Sequence, residues 1–300
     1  MSENPLWRLL ITPPAPGAWN MAVDEAIATH TGRGDAPPTL RFYQWQPACV
    51  SLGRHQPLAD IDLARCAALG YDVVRRPTGG RAILHTDELT YSVAGPQDDP
   101  ILAGAVLDSY LRLSQGLLAG LERLGLSVSK APPSNRSGAD AGPVCFEVPS
   151  AYEIIVPPRR SSSEAYRDPS SEAYRDPSSE AYGGPQKLVG SAQSRRQGWV
   201  LQHGTLPLVG DVTRLVEVVL FPDEAERAAQ RVLLAQRATT LQEALGRPVS
   251  FDEAAAALVE GFRAALGIHL ERGELTFAEL DLATTLQQSQ YAAHAWTAKL

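Results

Sequence analysis

The chain has 300 residues, 44% of them hydrophobic and 20% charged, the balance of an ordinary globular protein with room for one large domain or two modest ones. Its formal net charge of −7 argues against nonspecific binding to nucleic acid or to an anionic membrane. No apolar run approaches the length of a membrane span, the N-terminus carries an early Glu3 instead of a signal-peptide core, and three cysteines do not make a disulfide framework, so the expectation is a cytoplasmic protein.

In chain order, Trp7-Arg8-Leu9-Leu10-Ile11 predicts a first strand, stopped by the breaker Pro13-Pro14. Asn20 is placed as the cap of a helix with Met21, Ala22, Ile27 and Ala28 at helical spacing. Asp24 and Glu25 then fall in its first turn, where carboxylates favour the positive end of the helix dipole. Residues 39–45 and 48–52 read as paired strands around Gln46-Pro47, and 60–69 as a short helix ended by Gly70. Cys49 in an apolar strand and Cys66 in an Ala-rich helix suit small buried hydrophobes better than nucleophiles.

The stretch Arg75-Arg76-Pro77-Thr78-Gly79-Gly80-Arg81-Ala82-Ile83-Leu84-His85 follows, between apolar runs at 71–74 and 82–84 that read as short strands. Glycines let a backbone approach a ligand closely, and guanidinium forks suit carboxylate or phosphate. On these residues alone the plainer reading is a basic Gly-Gly hairpin turn with solvated arginines. Residues 88–93 alternate as a strand does, Asp99-Pro100 opens a long helical segment to Leu124, and Gly125 stops it. A polar loop over 132–142 leads through Pro143 and Cys145 into a strand at 152–156.

The octet SSEAYRDP then occupies 162–169 and 170–177, with a truncated SSEAY at 178–182. Too few copies are present to bury a core, and the composition predicts a disordered insertion at 161–184, at the tip of a hairpin with arms 151–156 and 187–193. A strand at 199–208 follows, and the part from 222 to 300 is helical. In it Ser250-Phe251-Asp252-Glu253 reads as a capping box opening a helix that Gly267 ends, and a last helix runs from about Phe277 toward Trp296. Together the elements predict an α/β or α+β protein with one substantial sheet, organised as a single domain over 1–300.

Five segments resemble, in order, the motifs of the lipoate-protein ligase and octanoyltransferase superfamily. They are Asn20-Met21-Ala22-Val23-Asp24-Glu25, Val50-Ser51-Leu52-Gly53-Arg54-His55-Gln56, the Arg75 to His85 stretch, Lys187-Leu188-Val189-Gly190-Ser191-Ala192-Gln193 and Leu201-Gln202-His203-Gly204-Thr205-Leu206. The resemblance implies the biotinyl/lipoyl protein ligase catalytic-domain fold, with helices packed on a mixed, largely antiparallel sheet. It implies attachment of medium-chain acyl groups to a lysine of a lipoyl domain.

Within the superfamily, Cys145-Phe146-Glu147-Val148-Pro149-Ser150-Ala151-Tyr152-Glu153 is similar to the nucleophile segment of the cysteine-dependent octanoyltransferases. The resemblance thus makes Cys145 and Lys187 the catalytic residues. It makes Arg75, Arg76, Thr78, Gly79, Gly80, His85, Gly190, Ser191 and His203 substrate-binding. It implies octanoyl-acyl carrier protein as donor and a lipoyl-domain protein as acceptor, such as the glycine cleavage H protein or a 2-oxoacid dehydrogenase E2. No nucleic-acid or membrane partner is expected. No cofactor is expected, and no metal-ligand spacing, P-loop or dinucleotide fingerprint is present in the sequence. Both protein partners are typically acidic, so Arg75, Arg76, Arg81, Lys187, Arg195 and Arg196 are the candidates for a basic docking patch. The alternatives are an amidotransferase using the same cysteine, an ATP-dependent lipoate-protein ligase, and a non-catalytic lipoyl-domain binder.

Overall fold

Residues 4–131, 153–157, 184–196 and 198–299 are described by the structure, a computed structural model. Its strands are β1 (Leu6–Ile11), β2 (Thr39–Tyr43), β3 (Cys49–Leu52), β4 (Asp72–Arg75), β5 (Ile83–His85), β6 (Glu88–Pro96), β7 (Ser129–Lys130), β8 (Ile154–Val156), β9 (Gln186–Arg196), β10 (Trp199–Pro207) and β11 (His269–Arg272). Its helices are α1 (Gly17–Arg33), α2 (Leu63–Ala68), α3 (Val106–Arg123), α4 (Glu224–Arg237), α5 (Leu241–Leu245), α6 (Phe251–Leu266), α7 (Phe277–Leu286) and α8 (His294–Thr297). An eight-stranded sheet runs β11-β1-β2-β6-β10-β9-β8-β7, and β4-β3-β5 form a second, smaller sheet. In the large sheet β1 pairs in parallel with β2 and β11, and the remaining pairs are antiparallel.

Successive strand residues point to opposite faces, and here both faces are covered. Leu40, Phe42, Tyr91, Val93 and Val200 meet Leu113, Leu117 and Leu121 of α3 and Leu258 and Phe262 of α6. Tyr43, Ala94 and Leu201 meet Met21, Ala22 and Ile27 of α1 on the other side. This two-sided burial is why nearly every residue of β2, β6 and β10 is buried, polar ones such as Arg41, Ser92 and Gln202 included. Helices α3 and α6 approach closely because glycines face one another. A Cβ on Gly261 would lie 2.2 Å from the Gly120 nitrogen.

Several sequence expectations need correction. Residues 39–45 and 48–52 do not pair, since β2 lies inside the large sheet and β3 at the centre of the small one. The Gly-Gly stretch is not a hairpin turn, because β3 separates β4 from β5. Helix α1 begins one turn before Asn20, with Pro16 in the cap position. The Asn20 side chain instead donates to the carbonyls of Ala15 and Gln44, and Asp24 and Glu25 lie buried beyond the first turn.

Asp99 caps a separate turn by accepting from the Ile101 N–H, and α3 starts only after Gly104, at φ +92°. Ser250 does cap α6 through the Glu253 N–H, but the Glu253 carboxylate turns to Arg247, so the reciprocal half of the box is missing. The last helix breaks after Leu286 into a π-helical turn at Gln287–Tyr291 before α8. Strand β11 was not anticipated. The hairpin arms around the repeat do pair, Ile154 opposite Val189 and Ile155 opposite Lys187. Cys145 and the SSEAYRDP repeats lie outside the described residues.

Candidate active site

A cavity opens between the small sheet and strands β6, β9 and β10. Met21, Tyr43 and Trp45 form its apolar side, and six of the residues singled out by sequence also reach it: Arg76, Gly80, His85, Gly190, Ser191 and His203. Thr78 is bonded to the lining His203 and Lys187 to the lining Glu153, whereas Arg75 and Gly79 do not line the cavity.

The loop between β4 and β5 is held by its own arginines. Both are buried, which overturns the picture of solvated guanidiniums. Arg75 donates to the carbonyls of Gly53 (2.8 Å), Gln56 (2.7 Å) and Thr297 (2.6 Å), and its own carbonyl accepts from the Trp296 indole at 2.9 Å. Arg76 donates to the carbonyls of Ser51 (2.7 Å), Gly79 (2.8 Å) and Arg81 (2.8 Å). These forks therefore brace backbone that would otherwise leave buried carbonyls unpaired.

Gly80 sits at φ +93°, a conformation that favours glycine, and Gly53 packs flat against it. A Cβ on Gly53 would come 1.8 Å from the Gly80 carbonyl oxygen, so backbone has to move. Gly53→Ala is expected to cost on the order of 1–3 kcal/mol of stability. It should slow turnover in the cavity on the order of tenfold to a hundredfold, because Gly80 is cavity wall. Thermal melting and turnover rate measured together test this. A wild-type rate with a wild-type melting temperature would show that the Gly53–Gly80 contact does not shape the cavity.

The two cavity histidines each have a carboxylate behind them. His85 stacks on Trp45 with ring centroids 4.0 Å apart. Its Nδ1 faces Glu88 at 2.7 Å and its Nε2 lies 2.7 Å from the Ser51 hydroxyl. Burial works against charge on Glu88. His85 and the hydroxyls of Thr205 and Thr90 outweigh it and hold the carboxyl below its ordinary range.

His203 places Nε2 2.6 Å from the Thr78 hydroxyl and Nδ1 3.5 Å from Asp24. Burial lowers the His203 pKa against the opposing pull of Asp24, so the ring is neutral at neutral pH. Asp24 accepts from Arg41 (2.7 Å), Tyr43 (2.9 Å) and Ser92 (2.8 Å). Burial raises its pKa, but Arg41 and His203 outweigh that and leave it lowered. Neither Glu88 nor Asp24 was singled out for the site by sequence. The signal for Asp24 was its spacing, since it lies on the apolar stripe of Met21 and Ile27.

Lys187 is fully buried, so it is not a solvated lysine at the edge of a loop. Its Nζ donates to Glu153 Oε1 at 2.6 Å, and Glu153 reaches the cavity. Burial pushes the Cys49 thiol well up and the Cys66 thiol up to about 11, so neither is a ready thiolate. The expected docking patch dissolves in part. Arg75, Arg76 and Lys187 face inward, Arg195 donates to Ser109 and the Leu102 carbonyl, and Arg196 pairs with Glu25 at 2.6 Å. Among the described residues no group of three or more His, Cys, Asp or Glu is arranged to hold a metal, and no helix is long and apolar enough to cross a membrane.

Known proteins resemble this chain in sequence and in fold. The octanoyltransferase LipM of Symbiobacterium thermophilum is 42% identical over 303 residues, covering 97% of each chain. That of Bacillus subtilis is 34% identical over 303 residues, covering 99% of each. A bipartite lipoate protein ligase of Thermoplasma acidophilum, described with its E2 lipoyl domain, shares the fold with a TM-score of 0.76 at 24% identity, over 100% of this chain and 98% of that one. The profile of the lipoyl protein ligase A/B catalytic domain matches residues 16–263, and the chain belongs to that family.

Proposed function

We propose that the protein is an octanoyltransferase of protein lipoylation, acting in the cytoplasm through an acyl-enzyme on Cys145. The octanoyl assignment is carried by 42% identity to an octanoyltransferase over 97% of both chains. The acyl-enzyme route is supported by a cavity that is apolar on one side and has a buried ammonium, Lys187, behind its polar wall.

In this reading the Cys145 thiolate attacks the thioester of octanoyl-acyl carrier protein, and the carrier thiol leaves. Exchange of one thioester for another is nearly balanced in free energy. The amine of an acceptor lysine, on a glycine cleavage H protein or an E2 lipoyl domain, then attacks the acyl-enzyme. An amide forms, the cysteine sulfur leaves and regains a proton, and no ATP is consumed. A free thiol has a pKa of about 8.5, so a nearby cation raises the thiolate fraction at neutral pH. Lys187 is that cation, and it also favours charge developing on the acyl oxygen. Met21, Tyr43 and Trp45 receive the alkyl chain.

Mixing the protein with octanoyl carrier protein and an acceptor lipoyl domain is expected to give an octanoylated lysine without ATP, read by intact-mass spectrometry. Transfer that requires ATP defeats the reading in favour of a ligase. Transfer only from an octanoylated lipoyl protein defeats it in favour of the amidotransferase.

The chain works as a single domain in which the repeat is a dispensable insertion between paired strands β8 and β9. A loop's closure cost grows only slowly with its length. Replacing residues 161–184 with a short Gly-Ser turn is expected to move the melting temperature by less than about 2 °C, corresponding to a stability change under about 1 kcal/mol. The transfer rate should stay within about twofold of wild type. A large loss of either would give the segment a structural or docking role.

A further inference from the structure

The proposed reaction needs Lys187 charged, yet the side chain has no exposure to water. An ammonium moved out of water tends to lose its proton unless a counter-charge holds it, and such shifts reach several pKa units. We propose that Glu153 is a positioning residue that keeps Lys187 protonated at the cavity wall. This inference rests on the acyl-transfer reading above and adds to it a residue whose role sequence reasoning did not assign.

Four observations carry it. Glu153, itself only 4% exposed, lies 2.6 Å from the Lys187 ammonium. It is also the sole carboxylate among the described residues lining the cavity. Both residues are anchored through their backbones. The Glu153 carbonyl accepts from the Ala131 N–H at 2.7 Å, and the Lys187 carbonyl accepts from the Thr239 N–H at 3.1 Å. Next to Glu153, the β8–β9 register shifts between Ile154 and Ile155, an irregularity of the kind that re-aims side chains beside active sites.

Among the described residues, the other charged or titratable groups around the pair supply no second carboxylate at the cavity. Arg76, His85 and His203 share the cavity, and α4, packed against β9, carries Arg237 in its last turn. Glu88 and Asp24 are engaged behind their histidines. Removing the Glu153 carboxylate takes away a counter-charge held 2.6 Å from the buried ammonium.

The sign follows. In the wild type the ammonium persists to alkaline pH, and loss of its proton sets a falling alkaline limb of the acylation rate. In Glu153→Gln the Lys187 pKa drops and that limb moves to lower pH. Single-turnover acylation by octanoyl carrier protein is expected to show the limb displaced by at least about one unit, and a rate at pH 8 reduced on the order of tenfold. Glu153→Asp, which retains the carboxylate, restores the limb. Apparent affinity for the carrier is expected to stay within about twofold of wild type, as for loss of an interaction that acts on the chemical step.

A second comparison sets Lys187→Met alone against a neutral double variant in which no buried charge is left unpaired. Lys187→Met alone and Lys187→Met with Glu153→Gln are expected to acylate at the same rate, since Glu153 acts only through the lysine. A rate lowered equally at every pH in Glu153→Gln, a wild-type profile in that variant, or a further loss in the double variant overturns the proposal. A wild-type protein that forms no octanoyl thioester overturns the transferase reading and this inference with it.

Discussion

Cys145→Ser is expected to abolish the octanoyl thioester that forms when the protein is mixed with octanoyl-acyl carrier protein alone. The adduct is one octanoyl mass, cleaved by hydroxylamine, and its rate of formation should fall at least on the order of a thousandfold. The reason is availability of the nucleophile. A thiol near a cation is partly ionised at neutral pH, whereas a serine hydroxyl is not and needs a positioned base. Cys49→Ser and Cys66→Ser are expected to retain the adduct, because burial raises both thiols and neither reaches the cavity. A variant that tolerates Cys145→Ser and requires ATP would establish ligase chemistry instead.

The largest effect on stability is expected at Asp24, where a carboxylate and the Arg41 guanidinium are both withdrawn from water. Removing one member of a buried pair leaves the other charged and uncompensated, a loss of about 3–5 kcal/mol. Asp24→Asn is therefore expected to lower the melting temperature by roughly 10 °C. It should also slow transfer, since Asp24 orients His203 on the cavity wall.

The pH dependence has a definite sign. The Asp24 carboxyl is lowered in the folded protein, so its stabilisation is present above the ordinary carboxylate range and is lost as pH falls through the folded value. The gap between wild type and variant in denaturant titrations should be wide at pH 7 and narrow as the pH falls below about 4. A loss under about 1 kcal/mol at pH 7 would show that Arg41, Tyr43, Ser92 and His203 do not depend on this carboxylate.

The sequence by itself determined the family, most of the strands and helices, and where several of them stop. The order of five motifs is local information, and it holds whatever the chain does in between. Strand β6 was legible because its apolar and polar residues alternate, a local pattern that needs no partner to be recognised. The stop of α6 at Gly267 was legible for the same reason, since a left-handed residue at a helix end is a one-residue requirement. Six of the nine substrate-binding candidates reach one cavity because the motifs that carry them lie on neighbouring elements.

Only the tertiary structure decided what those residues touch. Arg75 reads in sequence as an anion-binding fork, yet it is used on backbone carbonyls, one of them at Thr297, 222 residues away. β2 and β3 are adjacent in sequence but belong to different sheets, because each finds a better-matched edge elsewhere than in its neighbour. Asn20 and Asp24 look like helix-terminus residues until Pro16 starts the helix a turn earlier and carries them into the core, where Arg41 meets them. Lys187 looks like a surface lysine until β8 pairs with β9 and Glu153 closes over it. Hydrophobic periodicity records which face is buried. The partner that satisfies a buried charge is chosen by contacts far apart in the chain, and no local pattern encodes them.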